Sequence, residues 1–246
     1  MVTSSSSSVV VAGGASGIGQ ALCELLAREG RRIVVGDRDL PGAQAVAART
    51  GGRAFALDVA DEDSVVRFFA AAADALGGTL DALATPAGVV DTTPFMEITV
   101  ATFRRMHDVN VIGTFLCMRE AARYMRAGGR ICTVASVAGK RGGGLSGTAA
   151  YAASKGAVLA LTRNAARSLA PRGIAVNCVA PGPTLTPMLE GPLAVAGLRE
   201  RIAAATALDR IGEAAEIAEA IAWLLSPKSS YVDGETLTVD GGLMMD

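Results

Sequence analysis

The side chains best equipped for chemistry are Tyr151 and Lys155, in the run Tyr151-Ala-Ala-Ser-Lys155. Four residues apart on a helix, they share one face, which sets an ammonium beside a phenol. A positive charge there favours the ionised phenol and lowers its pKa. A phenol so tuned exchanges a proton with an alcohol or carbonyl oxygen near neutral pH. Asn110 and Ser136, the latter at the end of an apolar run, precede the pair. Tyr-x-x-x-Lys arises often by chance; it gains weight here from a glycine-rich turn near the N-terminus.

That turn reads Val11-Ala12-Gly13-Gly14-Ala15-Ser16-Gly17-Ile18-Gly19 and joins a strand-like run to a helix-like one. Glycine lets the backbone turn sharply and approach a pyrophosphate. The helix start that follows offers free N–H groups and a positive dipole end. The spacing departs from strict GxGxxG, and without a following GK[ST] it is no P-loop. Asp37 ends the next strand-like run, about twenty residues beyond Gly17, where a carboxylate accepts from both ribose hydroxyls and repels a 2′-phosphate. It predicts NAD over NADP, while the neighbouring Arg38 pulls the other way. Asp58, after the third strand, stands where adenine would lie, and is equally suited to cap a turn or helix.

The elements that must carry these residues alternate along the chain. Strand-like runs fall at 9–12, 33–36, 54–57, 81–84, 130–135, 174–179 and 236–239. Helix-like stretches fall at 21–27, 41–49, from Asp61, at 101–125 (bent or full height), 149–170 and 214–225. Continuous apolar strands between helices predict an α/β fold with a parallel sheet covered on both faces. The glycine-rich stretches 139–147 and 181–197 follow strands, so both are expected over the carboxyl edge where ligands bind. The polar stretch 1–8 reads as a disordered tail, and 9–246 as one catalytic domain.

Composition excludes several functions. The net charge is -1 with no block of like charge, so no nucleic-acid surface is expected. The N-terminus has no basic segment before an apolar one, and 9–27 reads as strand, turn and helix rather than a membrane span. Cys23, Cys117, Cys132 and Cys178 are widely spaced in apolar contexts, as reduced core cysteines of a cytoplasmic protein are. The lone His107 can build neither a His-rich metal site nor a supported triad, so no metal is expected.

With these pieces assembled, nearly the whole chain, from Val9 to Leu243, resembles the short-chain dehydrogenase/reductase family. The resemblance rests on Gly13, Gly17 and Gly19, on Leu57-Asp58-Val59, Ala87-Gly88, Asn110, Ser136, Tyr151-x-x-x-Lys155 and Asn177-x-Val-Ala-Pro-Gly182, and on Arg210-Ile-Gly212 and Val239-Asp-Gly-Gly242. It implies a single Rossmann-type, doubly wound parallel sheet of about seven strands. It implies that Tyr151 is general acid in reduction and base in oxidation, and that Lys155 lowers its pKa and bonds the nicotinamide ribose. Ser136 then polarises the substrate oxygen, and Asn110 holds a water in a proton relay. Cofactor contacts would come from Gly13, Ser16, Gly17, Ile18 and Gly19, from Asp37, Asp58 and Val59, and from Ala87 and Gly88. Pro181, Gly182, Thr184 and Thr186 would join them, with Thr186 on the carboxamide. A homotetramer is implied as well.

The sequence also departs from the family pattern. Ala12 stands where Thr is usual, and Thr85-Pro86 where Asn-Asn is usual; Pro86 removes a backbone donor. The interval from Ser136 to Tyr151 is about two residues longer than the resemblance leads one to expect, with the excess in 142–147. A substrate lid is expected near 184–205, apolar through Leu185, Met188, Leu189, Leu193, Val195 and Leu198, whose packing together as a lid helix is at least as good an explanation as substrate contact. The expected reaction is hydride transfer between NAD and a modest apolar secondary alcohol or ketone. Two alternatives stand beside it: a 3-oxoacyl-thioester (acyl carrier protein) reductase, and a non-catalytic nucleotide-binding regulatory protein.

Overall fold

The computed structural model describes residues 7–143 and 148–245. The expected tail at 1–6 and the glycine-rich stretch at 144–147 lie outside the described residues.

Because strands joined by helical crossovers must run parallel, the apolar runs assemble into one sheet. Its strands are β1 (Ser8–Ala12), β2 (Arg32–Asp37), β3 (Arg53–Ala56), β4 (Leu80–Thr85), β5 (Met125–Val134), β6 (Ala175–Pro181) and β9 (Thr236–Val239). They lie in the order β3-β2-β1-β4-β5-β6-β9, every pair parallel. The chain leaves β3 at one edge and returns beside β1 as β4. The order reverses there, and a crevice opens between the carboxyl ends of β1 and β4.

Strand periodicity sends alternate residues to the two faces. Val9 and Val11 pack with α1 (Gly17–Arg28), α2 (Leu40–Thr50) and α10 (Ala214–Leu224) through Leu22, Leu26, Val46 and Ile221. Val10 and Ala12 pack on the other side, with α3 (Glu62–Ala75), α5 (Gly113–Tyr124) and α7 (Ala149–Leu169) through Phe68, Leu116 and Ala166. Asp39 and Asp61 accept from backbone N–H groups and cap α2 and α3, as their positions ahead of apolar runs predict.

Four differences from the expected elements have local causes. Residue 8 belongs to β1 and not to a tail: Ser8 N and Oγ donate to Asp81 Oδ2 at 2.7 and 2.9 Å, and Asp81 N donates to Ser8 Oγ at 3.0 Å. The 101–125 helix is α4 (Val100–His107) and α5 joined by a π-helical turn, Asp108–Ile112. Val137–Arg141 forms a short helix, α6, because Ser136 caps it, its Oγ accepting from Ala138 N at 3.1 Å. In the lid region β7 (Thr184–Leu185) pairs with β8 (Gly212–Glu213), and α8 (Pro187–Leu193) and α9 (Leu198–Ala204) follow β7. Leu189, Ile202 and Ile211 form a small core of their own with Leu185, Leu193 and Leu198. Most of the lid's apolar residues therefore pack against each other, while Val195 is exposed.

Candidate active site

The glycine turn is shaped by close approaches that a side chain would block. A Cβ on Gly19 would lie 1.9 Å from Gly13 O, and one on Gly13, at φ +98°, would lie 2.4 Å from Ala87 N. Gly13 N donates to Gly36 O, and Ala87 N donates to Ala12 O. The turn is thereby pinned between the ends of β2 and β4. Gly17 sits at φ +53° against Thr186, and α1 begins there with no side-chain cap from Ser16. Its first N–H groups have no intrahelical partner and face a crevice lined by Gly13, Ser16, Gly17, Ile18 and Gly19. Asp37, Asp58, Val59, Ala87 and Gly88 line the same crevice. One oxygen of Asp37 accepts from Ala15 N at 2.9 Å and the other from Asp39 N at 3.0 Å, so this carboxylate also ties β2 to the turn. Asp58 Oδ1 accepts from Ala60 N at 3.0 Å, the turn-forming alternative, while remaining on the wall.

A second cavity continues the crevice, sharing Ile18, Pro86, Gly88, Thr186 and Met188 with the first. It holds Ser136, Tyr151 and Lys155, with Pro181, Gly182 and Thr184 on its wall. The Ser136 and Tyr151 side chains line this one cavity, although fifteen residues separate them. The sheet accounts for this: Ser136 follows β5, and α7 brings Tyr151 back over that strand's end. Lys155, one turn further along α7, is 4 % exposed and donates from Nζ to Val134 O at 2.8 Å.

The expectation of an acidified phenol needs correction. Burial pushes the Tyr151 pKa above its usual 10, and the nearby Ser136 hydroxyl offsets only part of that rise. The Lys155 ammonium lies 5.9 Å from the centre of the Tyr151 ring and bonds a backbone carbonyl. Its own pKa falls to about 8 because burial disfavours its charge. Sharing a helix face placed the two groups together; depth in the fold decides their protonation.

Asn110 is wholly buried in the π-helical turn. Its Oδ1 accepts from Val89 N, and its Nδ2 donates to Val89 O and to Ser154 Oγ, each at 2.9 Å. A Cβ placed on Gly88 would lie 3.2 Å from Asn110 Oδ1 and 3.4 Å from Lys155 Nζ, so both polar atoms border one small space. Thr186 Oγ1 reaches Thr184 O at 3.4 Å, and Thr184 Oγ1 donates to Gly182 O at 3.0 Å.

Every expected site residue therefore lies on this crevice or braces its wall. The sequence reading missed Val137, Leu243 and, above all, Arg141, which line the second cavity. Arg141 follows Ser136 by five residues in a glycine-rich stretch, a signal that the short helix conceals. The glycine cradle, the helix start and the Asp37 carboxylate fit a dinucleotide. Among the described residues no cluster suits a metal ion, and no helix is long and apolar enough to cross a membrane. All four cysteines are free and buried; burial pushes the Cys23 and Cys117 thiols up to about 12.

Comparison with known proteins adds to this geometry. Residues 13–244 match a family model described as enoyl-(acyl carrier protein) reductase. The chain is 42 % identical over 241 residues to a cis-4-hydroxycyclohexanecarboxylate dehydrogenase of Sinomonas cyclohexanicum, covering 95 % of this chain and 94 % of that protein. It is 38 % identical to a 2,5-dichloro-2,5-cyclohexadiene-1,4-diol dehydrogenase of Sphingobium indicum, covering 97 % of each. A crystal structure titled short-chain dehydrogenase/reductase SDR: glucose/ribitol dehydrogenase, from Brucella melitensis, superposes with a TM-score of 0.92 at 34 % identity, covering 98 % of this chain and 97 % of that one.

Proposed function

The chain belongs to the short-chain dehydrogenase/reductase family as an oxidoreductase acting on CH–OH donors with a nicotinamide cofactor, and from that premise we propose that it interconverts an apolar secondary alcohol and its ketone with NAD. The observation that carries the reading is the convergence of Ser136, Tyr151 and Lys155 in one cavity continuous with the glycine turn.

The bound nicotinamide supplies the acceptor or donor for hydride. Tyr151 holds the proton that the substrate oxygen gains in reduction and gives up in oxidation. Ser136 donates to that oxygen and keeps it beside the phenol. Lys155 supplies positive charge beneath the phenol, and its pKa of about 8 lets it exchange a proton near physiological pH. Asn110 Oδ1 and Lys155 Nζ both border the space beside Gly88, where a bridging water would give the lysine a proton-relay partner. Asp37 favours NAD, because its carboxylate would repel a 2′-phosphate. Val90, Val137, Met188, Leu189 and Leu243 give the substrate cavity an apolar wall. Two relatives named for cyclic alcohols support a ring-sized substrate.

A second reading, reduction of a 3-oxoacyl thioester, is supported by a relative from Vibrio cholerae, 35 % identical over 244 residues, that is named 3-oxoacyl-[acyl-carrier-protein] reductase. A homotetramer belongs to the first reading, supported by Val100, Phe103, Ile112 and Phe115, which stand exposed along α4, the π-helical turn and α5. The test is a panel of cyclic secondary alcohols and ketones with both cofactors, run on the wild type and on Tyr151→Phe. Turnover with NAD that falls at least a hundredfold in the variant, with NADH still bound, is the expected result. A variant near wild-type rates refutes the proton-transfer role, and NADPH-dependent reduction of acyl thioesters alone would establish the second reading.

A further inference from the structure

The substrate cavity carries one charged side chain that the proposed chemistry does not use. Its described lining includes no acidic residue, and its only cations are Lys155, buried against Val134 O, and Arg141. Arg141 is exposed at the last position of α6, and no described carboxylate lies within ion-pair distance of it. Asp91, beside the lining residue Val90, is already engaged: its carboxylate accepts from Thr93 and Thr148. A guanidinium left unpaired over an apolar wall presents a planar donor fork that matches a carboxylate.

The helix sets the spacing. Ser136 caps α6 and Arg141 ends it, so their backbones are offset by about 7.5 Å along the helix axis, and both residues line the one cavity. A six-membered ring substituted at opposite ends is of the same order in length.

We propose that Arg141 is a specificity residue that narrows the substrate of the first reading to one whose apolar ring also bears a carboxylate: a ring-sized secondary alcohol or ketone whose carboxylate binds the guanidinium while its oxygen lies at Ser136 and Tyr151. The inference rests on the reading of Ser136 and Tyr151 given above. It is in keeping with a relative named for a hydroxycyclohexanecarboxylate. A single Arg with no second exposed cation on the lining suits a carboxylate better than a doubly charged phosphate.

The test measures binding before turnover. Cyclohexanecarboxylate and cyclohexanecarboxamide are titrated by calorimetry into the NADH-loaded wild type, Arg141→Gln, Arg141→Lys and, as a charge control, Arg167→Gln on the exposed side of α7. A charge-assisted, partly solvated contact predicts that the wild type prefers the acid by about tenfold or more, that Arg141→Gln erases the preference, and that Arg141→Lys restores part of it. In turnover of 4-hydroxycyclohexanecarboxylate, Arg141→Gln should raise KM far more than it lowers kcat. NADH uptake by the variants reports that they are folded. Equal binding of acid and amide by the wild type overturns the inference, as does a preference that survives in Arg141→Gln or is lost equally in Arg167→Gln. The two readings fail separately. Oxidation of uncharged 4-methylcyclohexanol without acid preference keeps the proposed function and removes the Arg141 role. Arg141-dependent acid binding, with no alcohol or ketone turned over, does the reverse.

Discussion

Lys155 makes the active site an electrostatic liability, and the size of that liability is measurable. Burial takes its pKa from 10.5 to about 8, which corresponds to about 3 kcal/mol of disfavoured charge. Below pH 8 the folded protein holds the ammonium in a site that resists it, while the unfolded chain carries the same charge in water. Between pH 8 and 10.5 the folded state sheds the proton and the unfolded state keeps it, so this group's contribution to stability rises with pH. Above 10.5 both states are neutral and the penalty is gone. The buried thiols act in the opposite sense: Cys23 and Cys117, pushed up to about 12, stay neutral in the fold while unfolded thiols ionise from about pH 9. A bare pH–stability curve therefore mixes two trends.

The difference between wild type and Lys155→Met separates them, because Cys23 and Cys117 are common to both proteins and owe none of their shift to Lys155. Methionine fills a similar length with no charge. It forfeits the bond to Val134 O, worth roughly 1.5–3 kcal/mol for a charged donor. That loss adds to the difference without erasing its pH dependence. Unfolding of both proteins in urea or by heat, without cofactor, from pH 7 to 10.5 is the assay. The variant's stability relative to wild type should fall by about 3 kcal/mol across that window, or roughly 6–12 °C in Tm for a chain of this size. Turnover should be lost in the variant at every pH. A difference constant to within about 1 kcal/mol would refute the reasoning, since a shift in folded-state pKa must appear as a slope.

Two further outcomes follow from the packing. Gly19→Ala places a Cβ 1.9 Å from Gly13 O, so the turn must move; NADH fluorescence titration should show cofactor binding lost, and retained affinity would show that the cradle is not set by this contact. Thr85, 2 % exposed, has a hydroxyl oxygen with no hydrogen-bond partner, so Thr85→Val should stabilise the fold by about 1 kcal/mol, roughly 2–4 °C in Tm; a lower Tm would mean that this hydroxyl bonds an ordered water.

What the sequence revealed and what it hid divide along physical lines. The runs at 9–12 and 33–36 were legible because parallel strands buried on both faces carry unbroken apolar residues. The glycine turn was legible because only glycine tolerates backbone at such distances. Once the sheet order is set, Ser136 and Tyr151 meet, since each follows from where its strand or helix ends. The protonation of Tyr151 was not legible: the spacing places Lys155 nearby, but burial sets the direction of the phenol's shift. Helix α6 escaped detection because five residues show no period, and Arg141, which depends on it, escaped too. The lid residues Leu185, Leu193 and Leu198 read equally as substrate contacts or as packing, and their shared core decides for packing.

Asn110 shows why the site is rigid where its chemistry requires it. Its side chain takes both backbone groups of Val89 and donates to Ser154 Oγ, which in turn donates to Tyr151 O at 2.7 Å. Three segments meet in those bonds: the loop after β4, the π-helical turn and the start of α7. An ordinary α-helical course through 108–112 would rotate Asn110 relative to the elements on either side. The π turn holds it between Val89 and Ser154, and Gly113 lets the next helix approach Val59, where a Cβ would lie 2.8 Å from Val59 Cβ. The irregular turn and the missing side chain thus serve one end, because each bond Asn110 makes fixes a wall of the crevice in which Tyr151 and Lys155 sit. Its amide is wholly buried, so replacing it would strand several polar groups at once, and the position of the phenol would be lost together with the brace.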